Sequence, residues 1–193
     1  MSVTTLFRKK RTFAVLFLLL VAILFLNADW LGRLIYPIRY ESDIRISAGN
    51  YKVDPLLIAS IIRVESNYKA DKQSSKGALG VMQIMPETAE WVVQKAGYSK
   101  ITKDELSSRP DINIEVGAWY LRSLLDQFDR NETAVIAAYN AGPGRVKKWL
   151  AEGVWDGTYS NIGRIPYGET RHYVQRVIYY YKKYKQFYPD QNA

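Results

Sequence analysis

The 193-residue chain has room for one soluble domain with a sizeable core and one appendage. It has no cysteine, which excludes disulfides and thiolate chemistry, and its single histidine, His172, leaves no histidine cluster for a metal. The net charge of +8 is unevenly placed: Arg8, Lys9, Lys10 and Arg11 hold four cations, leaving 23 basic and 19 acidic residues, or +4, elsewhere. That modest excess suits an anionic membrane or wall polymer, and without an RNA-binding or helix-turn-helix signature it gives no case for nucleic acid as a partner.

The first predicted element follows those cations. An unbroken apolar run from Phe13 to Leu26 makes about 21 Å of helix, short of a hydrocarbon layer roughly 30 Å thick. Extension to residues 12–31, with Trp30 at the interface, reaches the required length. The expectation is therefore a cytoplasmic basic segment at residues 1–11, a transmembrane signal anchor at 12–31, and an exported domain at 36–193. A cleaved signal peptide is the rival reading, and Leu26-Asn27-Ala28 is a poor small-x-small cleavage site for it.

Beyond the anchor the chain reads as helices separated by glycine and proline. Asp54 and Pro55 are cap and first residue of a helix on which Ile58, Ile61, Ile62 and Glu65 share one face. Residues 76–85 carry two glycines and no helical period, which predicts a loop or short extended structure. Pro86 opens a helix that Gly97 closes, and Thr102 with Glu105 has capping-box spacing. An amphipathic helix follows Pro110, with Ile112, Val116, Trp119, Tyr120 and Leu124 on its stripe. Asn131 caps an apolar helix that ends at Gly142-Pro143-Gly144, and a short helix covers Arg145 to Ala151. A glycine-rich surface loop then leads to a final helix near Glu169, with Tyr173, Val174, Val177, Ile178, Tyr181 and Tyr184 on its buried side. The fold class expected is mainly α, in one domain without repeats.

With cysteine and histidine chemistry removed, carboxylates remain. Glu65 stands where the apolar stripe calls for a hydrophobic residue, so its proton should be held more tightly than in water, which is how a general acid is made. A glutamate at the rim of a buried face, solvated or paired with a cation, is the plain alternative. Fifteen tyrosines exceed the needs of such a core, and Tyr139 and Tyr167, each beside a glycine-rich break, are candidates for stacking on sugar faces.

Four segments in order extend this reading. Glu65-Ser66-Asn67-Tyr68, Ser75-Lys76-Gly77-Ala78-Leu79-Gly80-Val81-Met82-Gln83-Ile84-Met85-Pro86, Ala138-Tyr139-Asn140-Ala141-Gly142-Pro143-Gly144 and Glu169-Thr170-Arg171-His172-Tyr173-Val174 resemble the signatures of soluble-type lytic transglycosylases. The resemblance implies a lysozyme-like helical fold with a cleft for the glycan strands of bacterial peptidoglycan. It also implies Glu65 as the catalytic acid, no cofactor or metal, and a cleft lined by Met82, Gln83, Tyr139 and Asn140. Ser75 is expected at the substrate's N-acetyl group or beside Glu65, and Glu169 is expected to position substrate, with Tyr167 in the groove.

The activity implied is non-hydrolytic cleavage of the β-1,4 bond between N-acetylmuramic acid and N-acetylglucosamine, leaving a 1,6-anhydro end. A muramidase acting on the same bond with water, with Asp71 or Glu169 as second carboxylate, is the nearest alternative. An inert wall-binding module tethered to the membrane is the other.

Overall fold

The computed structural model describes residues 3–26, 28–98 and 100–189. The chain begins with two helices, α1 (Val3–Leu26) and α2 (Ala28–Ile35). The body then comprises α3 (Glu41–Tyr51), α4 (Pro55–Glu65), α5 (Pro86–Ala96), α6 (Lys103–Ser108), α7 (Pro110–Gln127), α8 (Glu132–Ala141), α9 (Pro143–Ala151) and α10 (Gly168–Phe187). Among the described residues there is no strand, only isolated bridges from Leu79 to Gln73 and to Ile84.

The core is built around α4. Leu56, Leu57, Ile58, Ala59, Ile61 and Ile62 are all buried, so α4 is enclosed on nearly every side where the sequence predicts a single apolar face. Such a helix belongs in the middle of a domain. Helix α10 packs along it and also against α8, while α3 packs on α7. The start of α4 is fixed locally: Asp54 Oδ1 accepts the Leu56 N–H at 2.7 Å, and Pro55 takes the first turn. The capping box at Thr102 and Glu105, the Asn131 cap and the left-handed Gly97 that ends α5 form as their sequence signals require.

Several features differ from the sequence reading. Helix α3 had no signal: its N-cap Tyr40 is left-handed without a side-chain cap, and it buries only Ile44, Ser47 and Ala48. Helix α9 starts at Pro143, two residues before the expected Arg145, because proline is suited to a first helical turn. The stretch from residue 152 to 167 is pinned by fully buried Trp155 and Ile165 and includes a single 3-10 turn, Ile162–Arg164. On α10, Ile178 is half-buried and Thr170 joins the buried side.

The expected span at 12–31 divides between α1 and α2, with Asn27 outside the described residues. Among the described residues no helix is long and apolar enough to cross a membrane. Within α1 the uncharged stretch begins only after Arg11 and ends with the helix at Leu26. Helix α2 also packs on α10, so the packed body begins before residue 36.

Candidate active site

Glu65 is the last residue of α4, and the chain reverses immediately after it. Asn67 and Tyr68 are both left-handed, with φ of 55° and 63°. Tyr68 is buried and returns its hydroxyl to α4, donating to the Ala59 carbonyl at 3.1 Å and sharing a hydrogen bond with Tyr184 on α10 at 3.0 Å. The turn therefore folds back on the helix that carries the acid, and leaves the Glu65 side chain facing α10.

Half-buried Glu65 receives the Tyr173 hydroxyl on Oε1 at 2.8 Å. Burial pushes its pKa from the ordinary 4.5 up to about 7; the Tyr173 hydrogen bond and the charges of Lys72 and Arg176 oppose that rise, and Glu169 adds to it. The Lys72 ammonium also donates to the Glu65 carbonyl, where a cation complements the helix C-terminus. A carboxyl with this pKa is protonated in a large share of molecules at neutral pH and can both give and take a proton.

The facing side of the site is an irregular turn. Gly80 has a φ of 74°, and a Cβ there would lie 2.3 Å from Asn113 Nδ2 and 2.6 Å from the Leu106 carbonyl oxygen. Only glycine fits both the conformation and the contact. Fully buried Asn113 on α7 donates to the Leu79 carbonyl at 2.9 Å and the Leu106 carbonyl at 2.8 Å, and accepts the Met82 N–H at 2.8 Å. Three main-chain groups of the turn and its neighbour are thus satisfied by one distant side chain. Gln83, with a φ of 50°, donates from Nε2 to the Lys72 carbonyl at 2.8 Å and the Gly80 carbonyl at 2.9 Å.

The expected site residues fall into three groups. Glu65 and Tyr139 come together: burial and the nearby Glu65 charge raise the Tyr139 hydroxyl well above the ordinary tyrosine range, and that hydroxyl donates to the Met82 carbonyl at 3.0 Å. Gln83 and Asn140 lie in the supporting framework, Asn140 accepting the Thr170 hydroxyl at 2.8 Å between α8 and α10. Met82 is fully buried, and its carbonyl is taken by the Tyr139 hydroxyl, so its side chain lines no open cleft.

Ser75, Tyr167 and Glu169 are exposed. In the serine pair it is Ser74 that is engaged, its hydroxyl accepting the Ala78 N–H at 2.9 Å. Tyr167 stacks edge-on to Trp149 at 5.3 Å beneath Arg145, and Glu169 pairs with Lys76 at 3.7 Å. Asp71 is exposed on the turn.

Sequence reasoning missed two functions. Tyr173 was placed only on the buried side of α10, although it ends the Glu-Thr-x-x-Tyr spacing that marks the segment. Asn113 had one available signal, an amide inside an otherwise apolar helix pattern.

Open grooves adjoin the site. One of about 370 Å³ is lined by Thr88, Trp91, Tyr120 and Pro143, and Tyr120 lies 5.5 Å from Tyr139 ring to ring. Another of about 400 Å³ runs along α10 past Arg176, Tyr179 and Tyr180 to Tyr159. The cavity between α3 and α7, about 500 Å³, contains none of the expected site residues. Among the described residues, no group of three or more acidic or histidine side chains is arranged to hold a metal.

Known proteins are similar to this chain in sequence and fold. The pattern of the family described as Transglycosylase SLT domain matches residues 43–161. The soluble lytic murein transglycosylase of Escherichia coli K12 is 33% identical over 156 residues, covering 80% of this chain and 24% of that protein. The membrane-bound lytic murein transglycosylase C of Histophilus somni is 34% identical over 116 residues, covering 56% and 32%. The lytic transglycosylase Slt of Pseudomonas aeruginosa, solved as an inactive mutant with glutamine in place of a glutamate, superposes with a TM-score of 0.72 at 36% identity over 80% of this chain and 25% of that one. The chain spans about a quarter of the length of the E. coli and P. aeruginosa proteins.

Proposed function

The chain belongs to the Transglycosylase SLT domain family, and from that premise we propose that it is a lytic transglycosylase that cleaves peptidoglycan glycan strands, with Glu65 as its general acid and base. The observation that carries this reading is a single proton-holding carboxyl, poised near 7 and oriented by Tyr173. The other carboxylate that acts on it electrostatically, Glu169, is exposed and paired with Lys76. Most glycosidases that use water have two carboxylates flanking the bond. One is enough when the substrate supplies its own nucleophile.

The cycle balances without water. Glu65 gives its proton to the glycosidic oxygen as the bond from that oxygen to C1 of N-acetylmuramic acid breaks. The sugar's own C6 hydroxyl oxygen then bonds to C1, and its proton passes to the Glu65 carboxylate, restoring the acid. Closing a ring within one bound residue gives the hydroxyl a high effective concentration, so a positioned water has no role. The aromatic groove at Trp91, Tyr120 and Tyr139 supplies ring faces for sugars. Gln83 and Asn140 set the walls, and Ser75, Tyr167 and Glu169 are exposed groups available to substrate at the rim.

The basic segment at residues 1–11 and the apolar run after it support anchorage by residues 12–31 in the cytoplasmic membrane, with the domain outside the cytoplasm. A membrane-bound relative is in keeping with that placement.

Mass spectrometry of peptidoglycan digested by the full chain tests the activity. Products ending in 1,6-anhydro-N-acetylmuramic acid, lighter than hydrolysis products by one water, are expected. Reducing ends as the main product would make the protein a muramidase, and absence of cleavage would leave a wall-binding module. Glu65→Gln should lose activity by about 10,000-fold, the upper range for acid and base catalysis, because one residue fills both roles.

A further inference from the structure

Helix α2 is attached to the domain the wrong way round for a helix in water. A surface helix ordinarily turns its large apolar side chains toward the body. Here α2 docks through small and polar residues. Gly32 is buried so closely against α10 that a Cβ on it would lie 2.2 Å from the Phe187 ring, and Arg33 Nε donates to the Phe187 carbonyl at 2.7 Å with its guanidinium 5.1 Å over the Tyr188 ring. Tyr36, just beyond the helix, stacks on Phe187 at 5.8 Å. The opposite face carries Trp30, Leu31, Leu34 and Ile35, each between 42% and 63% exposed. At 3.6 residues per turn these four cover a continuous arc of about 140°. That is a patch built for an apolar partner.

We propose that this face of α2 lies in the headgroup layer of the lipid bilayer, so that the domain is held against the membrane in a fixed orientation. The proposal rests on the anchorage reading above and goes beyond it by assigning the surface that touches lipid. Three observations favour lipid over protein. The face follows α1 in the chain, and the α1 side chains from Phe13 to Leu24 are largely exposed along an apolar helix. Trp30 lies on it, and Tyr36, whose hydroxyl pairs with that of Tyr179 at 2.7 Å, follows it in the chain; such amphipathic rings favour the interface. Cations border the seam: Arg33 and Arg39 from the chain itself, and Lys183 over the rings of Tyr36 and Phe187 at 5.9 and 5.8 Å, placed to meet anionic headgroups.

The absence of cysteine makes the test direct, since one introduced thiol takes one label. The full chain carrying Leu34→Cys, and separately Ile46→Cys as a control on an exposed apolar residue of α3 (62% exposed), is labelled with a nitroxide. Each is reconstituted in vesicles of phosphatidylethanolamine and phosphatidylglycerol. The expected result is that the Leu34 label loses most of its collisions with a water-soluble relaxant and gains collisions with oxygen, while the Ile46 label stays aqueous. A chain that floats with vesicles yet keeps a water-accessible Leu34 label would overturn the docking and leave the anchor standing. Failure to float would overturn both. Leu34 protection that persists in detergent and grows with protein concentration would assign the face to a second copy instead.

Discussion

The two sides of the candidate site are built on opposite principles. The acid's side is α4, a regular helix started by its own cap and proline and surrounded by aliphatic side chains. The facing side, from Ser66 to Met85, has almost no regular structure and takes its shape from left-handed residues, Gly80, and one buried amide reaching across from α7. A regular element fixes where the proton is held. Irregular backbone is held in place from a distance by one buried amide. Dispersed apolar packing fixes α4, whereas the turn depends on a few groups that must all be present.

Substitutions on each side should break the molecule differently. The largest effect is the loss of activity on Glu65→Gln, with the fold intact, because α4 is held by residues other than the acid. Next, Asn113→Leu keeps volume but strands the Leu79 and Leu106 carbonyls and the Met82 N–H; at roughly 1 kcal/mol or more for each lost partner it should cost about 3 kcal/mol or more in urea unfolding and abolish activity with it. An Asn113→Leu protein of parental stability would show that the turn is held by something else.

The third effect is pH-dependent and of opposite sign. The folded chain keeps a proton on Glu65 up to about pH 7, whereas the unfolded chain releases it near 4.5. Stability therefore falls as pH rises from about 4.5 to about 7 and stays lower above that. Glu65→Gln removes this loss and should be more stable than the parent at pH 8 by up to about 3 kcal/mol at 1.36 kcal/mol per unit, with no gain of this origin below pH 4. Thermal melts at both pH values check it. The smallest effect is expected for Tyr173→Phe, which removes the hydroxyl that favours the ionised carboxylate. The alkaline limb of the activity profile should move upward by about one pH unit, the scale of one hydrogen bond to a charged group. A limb that stays in place would mean that Tyr173 only fills space.

The same contrast explains what could be read from the sequence. Caps, prolines and apolar periods are local, so α4 through α10 were legible to within a few residues, as was Glu65 as an intruder on an apolar stripe. Helix α3 lacks a cap and nearly lacks a stripe, so nothing local marked it. The roles of Asn113, Tyr173 and Lys72 depend on groups from other elements, and spacing along the chain says nothing of such partners. Met82 teaches the converse: its motif draws attention to the side chain, whereas the whole residue is buried and its carbonyl holds the Tyr139 hydroxyl.

Glu65 and the Tyr173 hydroxyl it receives are 108 positions apart in the chain, so the surroundings that set the carboxyl's hold on its proton exist only in the folded chain. In the unfolded polypeptide Glu65 is an ordinary solvated glutamate with a pKa of 4.5, ionised at neutral pH and useless as a proton donor. It acquires its held proton only once folding has buried it, and burial is the largest cause of the raised pKa. A growing or incompletely folded chain thus carries every residue of the site without its chemistry. Under the proposed mechanism, the proton donor is therefore assembled by the fold itself.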